Sequence, residues 1–180
     1  MRVAVTGTPG TGKTSATRLL EGEDGDEDEA DDGNARSVIH LNELIESGED
    51  LWTERDDDRG SLVADLEAIA DRIGDWDGIL ESHLAHHFEA DRVVVLRCAP
   101  EILEDRLTDR GEPPATAREN AESEALDVIL SEAVERFGRE NVYEIDTTDA
   151  EPDAVADAIR AVIDGDREPS AGTVDFTGYL

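Results

Sequence analysis

The stretch Gly7-Thr8-Pro9-Gly10-Thr11-Gly12-Lys13-Thr14 has the spacing G-x-x-x-x-G-K-[ST], which is typical of a loop that binds nucleotide phosphates. Residues 2–6, Arg-Val-Ala-Val-Thr, predict a short buried strand before it, and residues 15–20 predict the opening turns of a helix after it. A chance glycine-rich turn is the alternative, but it would not require a strand, a loop and a helix in this order. The stretch therefore predicts a phosphate-binding loop in an α/β chain.

The residue types in this loop match the chemistry of phosphate binding. Glycines at positions 7, 10 and 12 let the backbone approach an anion closely and turn successive N–H groups toward it. Lys13, the only lysine among the 180 residues, would reach the β- and γ-phosphates, and the Thr14 hydroxyl would be a ligand of Mg²⁺. A nucleotide with β- and γ-phosphates and its Mg²⁺ are therefore expected here.

The composition is strongly acidic. Sixteen basic and 47 acidic residues give a net charge of −31 and a pI near 4.1. Such a charge repels nucleic acid and anionic membranes, so we expect neither direct nucleic-acid affinity nor membrane binding. An acidic surface with arginine in place of nearly all lysine suits a halophile, because molar salt shortens the screening length to about 3 Å.

Other sequence features predict one soluble, cytoplasmic domain. The single Cys98 cannot form an internal disulfide, and no signal peptide is recognisable. No apolar run approaches the ~18 residues of a membrane span. The acidic residues 21–34 are interpreted as a solvated loop, since a calcium loop would need ligands at fixed spacing.

Five predicted strands alternate with predicted helices. The strands are expected at residues 2–6, 37–41, 78–82, 92–96 and 141–146, and the helices at 15–20, 42–46, 59–73, 100–107, 116–137 and 153–163. This alternation predicts a five-stranded parallel sheet flanked by helices, with ligands at the carboxyl ends of the strands. Residues 164–180 lack periodicity and are predicted to form a mobile tail.

Among proteins with such a loop, a small kinase fits best. A guanine-nucleotide switch would need an Asn-Lys-x-Asp element, and no second lysine exists to build one. A motor or helicase ATPase would carry a nucleic-acid-binding surface, which the charge argues against. A nucleotide kinase grips phosphates with arginines, and Arg59, Arg106 and Arg110 are candidates. Arg59 could instead pair with Asp57.

Six short motifs together resemble one known family. They are Thr6-Gly7-Thr8-Pro9-Gly10-Thr11-Gly12-Lys13-Thr14, His40-Leu41-Asn42-Glu43-Leu44, Glu81-Ser82-His83, Val95-Leu96-Arg97, Arg106-Leu107-Thr108-Asp109-Arg110-Gly111 and Glu119-Asn120-Ala121-Glu122-Ser123-Glu124. In order and rough spacing this set resembles the atypical adenylate kinases that double as ribosome-assembly ATPases, the isoenzyme-six family. The resemblance covers residues 1–163, and only the phosphate loop is specific when taken singly.

The resemblance implies a nucleoside-monophosphate kinase fold over residues 1–163. It implies a monophosphate-binding segment at 37–61 and a short lid at 108–119. The implied activities are ATP:AMP phosphotransfer, slow ATP hydrolysis and help in maturation of the small ribosomal subunit, with a basic small-subunit ribosomal protein as partner. The alternative is an assembly factor whose ATPase cycle times release of that protein, without a physiological kinase activity.

The resemblance also assigns residues to the site. The ATP phosphates would be held by Gly10, Gly12, Lys13, Thr14 and Ser15. Arg110 would be the lid arginine on ATP. The predicted catalytic residues are Lys13, His83 and Arg110, and the position of Arg59 in the sequence makes it the candidate for contact with the monophosphate.

One motif departs from the family pattern. The family has Asp-x-His after the third strand of the sequence, where this chain has Glu81-Ser82-His83. The longer Glu81 carboxylate could still hold a Mg²⁺-bound water. His83 could orient a water or stabilise transferring charge, could be only a polar contact, or could join His86 and His87 in a metal site.

Overall fold

The computed structural model describes residues 1–21, 36–48, 50–56 and 61–180. The strands in these residues are β1 (Arg2–Thr6), β2 (Val38–His40), β3 (Trp52–Asp56), β4 (Ser61–Ala64), β5 (Gly78–Glu81), β6 (Arg92–Arg97) and β7 (Val142–Asp146). The α-helices in these residues are α1 (Lys13–Thr17), α2 (Leu41–Ser47), α3 (Leu66–Ile73), α4 (Pro100–Asp109), α5 (Pro114–Ala125), α6 (Val128–Phe137) and α7 (Pro152–Asp164).

Five strands form the predicted parallel sheet, in the order β2-β5-β1-β6-β7. The apolar runs lie in its centre because both faces of a parallel sheet are covered. Alternate side chains of β1 show this, since Ala4 packs in a cluster with residues of α2, α3 and α6, whereas Val3 and Val5 pack with α1 and α7. The predicted α/β fold is confirmed.

The strand order places the phosphate loop at the carboxyl edge of the sheet. The chain leaves β1 between its neighbours β5 and β6, so the loop after β1 and the turn after β5 lie at the same edge. Ligands of open α/β sheets bind at such an edge. Helices α4 and α5 pack on each other through Leu103, Leu107 and Ala117, and the first two side chains also lie against Gly10. This contact brings the predicted lid next to the phosphate loop.

The helix predicted over residues 59–73 is shorter than expected. The structure has the strand β4 at Ser61–Ala64, antiparallel to β3, and α3 begins only at Leu66. The Asp65 carboxylate accepts the backbone N–H of Ala68 at 3.1 Å and so caps α3. The prediction was wrong here because pairing with β3 and this cap outweigh the helical pattern of the segment.

The single helix predicted over residues 116–137 is also wrong. Helix α5 ends at Ala125 and α6 begins at Val128, and between them Asp127 has a φ of 54°, in the left-handed region. An α-helix cannot continue through this conformation. The Asp127 carboxylate accepts a hydrogen bond from Arg97 Nη2 at 2.5 Å. This contact with a buried arginine holds the break in place.

The C-terminal residues 164–180, predicted to be mobile, make specific contacts with the edge strand β7. The backbone N–H of Ser170 donates to the Val142 carbonyl at 3.1 Å. The backbone N–H of Thr173 donates to the Glu144 carboxylate at 2.7 Å. The tail therefore covers the free edge of the sheet, although it lacks the periodicity of a helix or strand.

The helices in the described residues present acidic residues to solvent. On α7 the apolar face is buried, whereas Asp153, Asp157 and Asp164 are exposed on the other face. No helix in the described ranges is long and apolar enough to cross a membrane.

We expect the stability of this fold to depend on salt. At 0.01 M ionic strength the net charge of −31 repels itself over a screening length of about 30 Å, which falls to about 3 Å at 1 M. The midpoint of thermal unfolding should therefore rise as KCl increases from millimolar to molar, as measured by circular dichroism. An unfolding midpoint that stays constant across the titration would contradict this expectation.

Candidate active site

The phosphate loop connects β1 to α1 through left-handed glycines. Gly12, immediately before α1, has a φ of 86°, which favours glycine over other residues. Gly7 has a φ of 138°, and a Cβ there would lie 2.4 Å from the Leu96 carbonyl oxygen of β6. The tight approach of the loop to the sheet therefore requires glycine at position 7, and the turn into α1 favours glycine at position 12.

Lys13 is buried with its ammonium inside this loop. Lys13 Nζ donates to the carbonyl oxygens of Gly7 at 2.8 Å and Thr8 at 3.1 Å. Burial lowers the pKa of Lys13 to about 8, although the charges of Glu81 and Glu124 act in the opposite direction. Among the described residues, Lys13 forms no ion pair. A bound phosphate would therefore supply a negatively charged partner for the buried ammonium.

The loop borders an open cleft of about 400 Å³. Its lining residues are Pro9, Gly10, Gly12, Lys13, Thr14, Ser15, Asn42, Glu81, His83 and Arg110. The structure thus brings together the residues proposed for the site from the sequence, except Arg106, which lines a second cleft, and Arg59, which lies outside the described residues. The sequence motifs are far apart along the chain, and the parallel sheet places their side chains at one edge.

Glu81 and Thr14 together fit a Mg²⁺ site. Thr14 Oγ1 donates to Glu81 Oε2 at 3.3 Å, and the Glu81 side chain is buried at the end of β5. A hydroxyl and a carboxylate oxygen are the hard ligands that Mg²⁺ prefers, and a bound Mg²⁺ retains several of its waters. The Glu81 carboxylate therefore reaches the hydroxyl of the phosphate loop.

His40 orients this carboxylate, a contact that the sequence does not reveal. His40 Nδ1 lies 2.8 Å from Glu81 Oε2, and His40 Nε2 lies 3.0 Å from Glu21 Oε1. The register of the sheet explains the first contact, because His40 of β2 is the direct partner of Glu81 in β5. Only the pairing of β2 with β5 could have predicted it.

His83 follows β5 and faces the same cleft. Burial is the main cause that lowers its pKa to about 4, and the positive charge of Lys13 adds to the effect. The imidazole is therefore neutral at pH 7. A neutral ring can orient a water through hydrogen bonds, but it does not supply positive charge to a transferring phosphate.

Two side-chain contacts fix the turn that carries His83. Ser82 Oγ donates to Asn42 Oδ1 of α2 at 2.9 Å. Thr6 Oγ1, at the end of β1, lies 3.2 Å from the His83 carbonyl oxygen in donor geometry. The turn is thus tied to both neighbouring elements, which restricts where the imidazole can point.

Arg110 borders a second cleft as well as the first. This cleft, of about 290 Å³, lies between the phosphate loop and the start of α7. It is lined by Gly10, Thr11, Gly12, Ser15, Arg106, Arg110, Thr147, Ala150, Glu151, Pro152 and Val155. Arg106 donates to the carbonyl oxygens of Thr147 at 3.0 Å and Thr148 at 2.9 Å. Arg106 thus braces the wall of this cleft.

A buried ionic network contacts the phosphate loop through Thr8. Arg97 at the end of β6 is 1% exposed and donates to Glu124 at 2.7 Å and to Glu144 and Asp127. The hydroxyl of Thr8 in the phosphate loop also donates to Glu124. Three distant acidic residues therefore converge on one arginine, and no local spacing in the sequence predicts this convergence.

Comparison with known proteins relates this chain to one family. The sequence profile of the AAA domain family matches residues 3–127. A protein of Natronomonas pharaonis named "Putative adenylate kinase" is 62% identical over 181 residues, covering all of both chains. A protein of the same name from Halobacterium salinarum is 57% identical over 182 residues, again covering both chains fully. Another from Archaeoglobus fulgidus is 43% identical over 185 residues, covering 100% of this chain and 94% of that protein.

Proposed function

We propose that this chain, which belongs to the family of these archaeal adenylate kinase relatives, transfers the γ-phosphate of ATP to AMP. The relatives support a nucleoside-monophosphate kinase-like function. The observation that carries the proposal is the single cleft in which Lys13, Thr14, Glu81 and Arg110 meet. Phosphoryl transfer depends mainly on positioning and on stabilisation of negative charge, and these residues supply both.

On this proposal the phosphate loop holds ATP. The ammonium of Lys13 leaves its carbonyl partners for the β- and γ-phosphates, while the backbone N–H groups of Gly10, Gly12 and Ser15 donate to phosphate oxygens. Thr14 and Glu81 would hold Mg²⁺ and its waters. When bound, Mg²⁺ neutralises the negative charge that the phosphates share.

The two clefts would hold different parts of the substrates. The first cleft is lined mainly by the phosphate loop and would hold the ATP phosphates, and its side at Asn42 of α2, in the proposed monophosphate segment 37–61, would face AMP. The second cleft would take the base of ATP beside the start of α7. Arg110, in the proposed lid 108–119, borders both clefts and would contact the phosphates between them. Arg59 would bind the phosphate of AMP. All of these residues lie in the proposed kinase domain, 1–163.

His83 is proposed to orient the water of a slow ATPase side reaction. We expect His83→Ala to leave ATP affinity nearly unchanged and to reduce ATP hydrolysis by about 10²-fold, as for a lost positioning group. Hydrolysis at saturating Mg²⁺ and equilibrium binding of ATP are the measurements. His83→Gln, whose amide can still hydrogen-bond a water, should retain more activity than His83→Ala. Unchanged hydrolysis in His83→Ala would make His83 a structural contact.

A coupled assay in molar KCl tests the kinase reaction. ATP is offered with each of AMP, CMP, GMP and UMP, and ADP is measured. We expect two ADP for each AMP consumed, because phosphotransfer converts both nucleotides to ADP. If AMP neither accelerates ATP turnover nor is converted to ADP, the protein is an ATPase and the kinase proposal fails.

A role in maturation of the small ribosomal subunit is the second part of the proposal. Its support is the resemblance of the motifs and the net charge of −31, which would steer a basic ribosomal protein toward the chain. Molar salt screens such attraction, so the contact would also have to bury apolar surface. Pull-down of small-subunit proteins in molar KCl, with and without ATP, is the test. Recovery of none in any nucleotide state would leave a metabolic kinase.

A further inference from the structure

Two adjacent histidines and a glutamate lie close together near the end of β1. His86 and His87 lie on a 3₁₀ turn at residues 85–87, after β5, and face Glu132 of α6. One ligand atom from each of the three side chains lies within 4.8 Å of the other two. His86 Nε2 is 2.9 Å from Glu132 Oε2, and the two imidazole rings are 4.2 Å apart between centroids.

We propose that His86, His87 and Glu132 bind a divalent transition-metal ion of the zinc type. Two imidazole nitrogens and one carboxylate oxygen form a ligand set that suits zinc, with a water in the fourth position. Mg²⁺ and Ca²⁺ prefer sets made of oxygen atoms, so this site would discriminate against the cation held by Thr14 and Glu81. The proposal does not depend on the kinase reaction.

The contacts of His86 orient its imidazole ring for metal binding. Its side chain is buried, and Nδ1 lies 2.9 Å from Thr6 Oγ1, while Nε2 points to Glu132. When Thr6 donates to the His83 carbonyl, its oxygen accepts the Nδ1 hydrogen, and Nε2 of the neutral ring then presents a lone pair beside the carboxylate. A cation between these two atoms would satisfy both of them. Contacts of this kind orient metal-binding histidines.

The Glu132 carboxylate supplies negative charge to the cluster. Arg136, one turn further along α6, repels a cation through space, whereas Glu132 contacts the ring directly. The Glu132 side chain is 49% exposed, which gives an ion a path from solvent.

Occupation of this site would brace the turn that carries His83. Thr6 contacts both His86 and the His83 carbonyl, so the ion would tie α6 to the turn and to the end of β1. An ion that binds only the folded chain stabilises it. We therefore expect saturating Zn²⁺ to raise the thermal unfolding midpoint by about 5 °C.

The test is a titration of the full chain with Zn²⁺ against a chromophoric chelator. Molar KCl and millimolar Mg²⁺ are present to occupy the acidic surface. We expect one Zn²⁺ per chain, and an affinity that falls by at least about 10-fold in both His87→Ala and Glu132→Gln. Glu135→Gln, an exposed position on the same helix, is the matched control and should bind as the parent does.

A second readout separates ligation from folding. Co²⁺ in place of Zn²⁺ should give the visible absorption bands of a low-symmetry four-coordinate site in the parent chain and in Glu135→Gln, but not in His87→Ala. Circular dichroism confirms that each variant is folded. Zn²⁺ affinity that is equal in all variants, or that disappears with Mg²⁺ present, would assign the binding to the acidic surface and overturn the proposal.

Discussion

Lys13→Ala is expected to reduce phosphotransfer by about 10³-fold or more, which is the order seen when a cation that stabilises the transferring phosphate is removed. Lys13 is the only lysine of the chain, and its ammonium lies inside the phosphate loop, 2.8 Å from the Gly7 carbonyl oxygen. No neighbouring ammonium can replace it. The coupled assay with AMP measures the rate, and equilibrium binding of ATP measures the accompanying loss of affinity.

Lys13→Arg should fail almost as completely. The ammonium is a compact charge held by two carbonyl oxygens of a tight loop, and a planar guanidinium cannot take its place. Arg18→Lys, at an exposed position at the end of α1, is the control, because it adds a lysine outside the loop and should change neither rate nor affinity. Near-normal turnover in Lys13→Arg would contradict the geometry assigned to the site.

The parallel sheet was predictable because its signals are local. Runs such as Val93-Val94-Val95 are apolar without interruption, as in strands buried on both faces, and the glycine spacing of the phosphate loop is short-range. The carboxyl ends of parallel strands share one edge, so the sequence also predicted that Lys13, Glu81 and His83 lie close together. The structure places all three on one cleft.

What the sequence missed depends on contacts between distant residues. The helical pattern of residues 59–73 says nothing of pairing with β3, and that of residues 116–137 says nothing of the break at Asp127. Likewise, His40 contacts Glu81 because β2 pairs with β5. A local sequence pattern does not predict the order of strands in a sheet. Tertiary contacts here outweigh intrinsic propensity.

The second large effect is expected at Arg97, at the end of β6. Its guanidinium is 1% exposed and binds the carboxylates of Glu124, Asp127 and Glu144, two of which are themselves buried. Arg97→Met would leave these carboxylates without their cation. We expect the free energy of unfolding to fall by about 3–5 kcal/mol, as for a broken buried ion pair. Denaturant unfolding in fixed molar KCl is the measurement.

Two further sets of variants test whether the burial of Arg97 causes this loss of stability. Arg118, 70% exposed, pairs with Glu122 at 3.1 Å, and Arg118→Gln should leave the free energy of unfolding nearly unchanged. Adding Glu124→Gln and Glu144→Gln to Arg97→Met should recover part of the lost stability, because neutral amides do not require the cation. Equal losses for Arg97→Met and Arg118→Gln would mean that the network contributes no more than a surface pair. Glu124 also accepts a hydrogen bond from Thr8, so this carboxylate links the buried network to the phosphate loop.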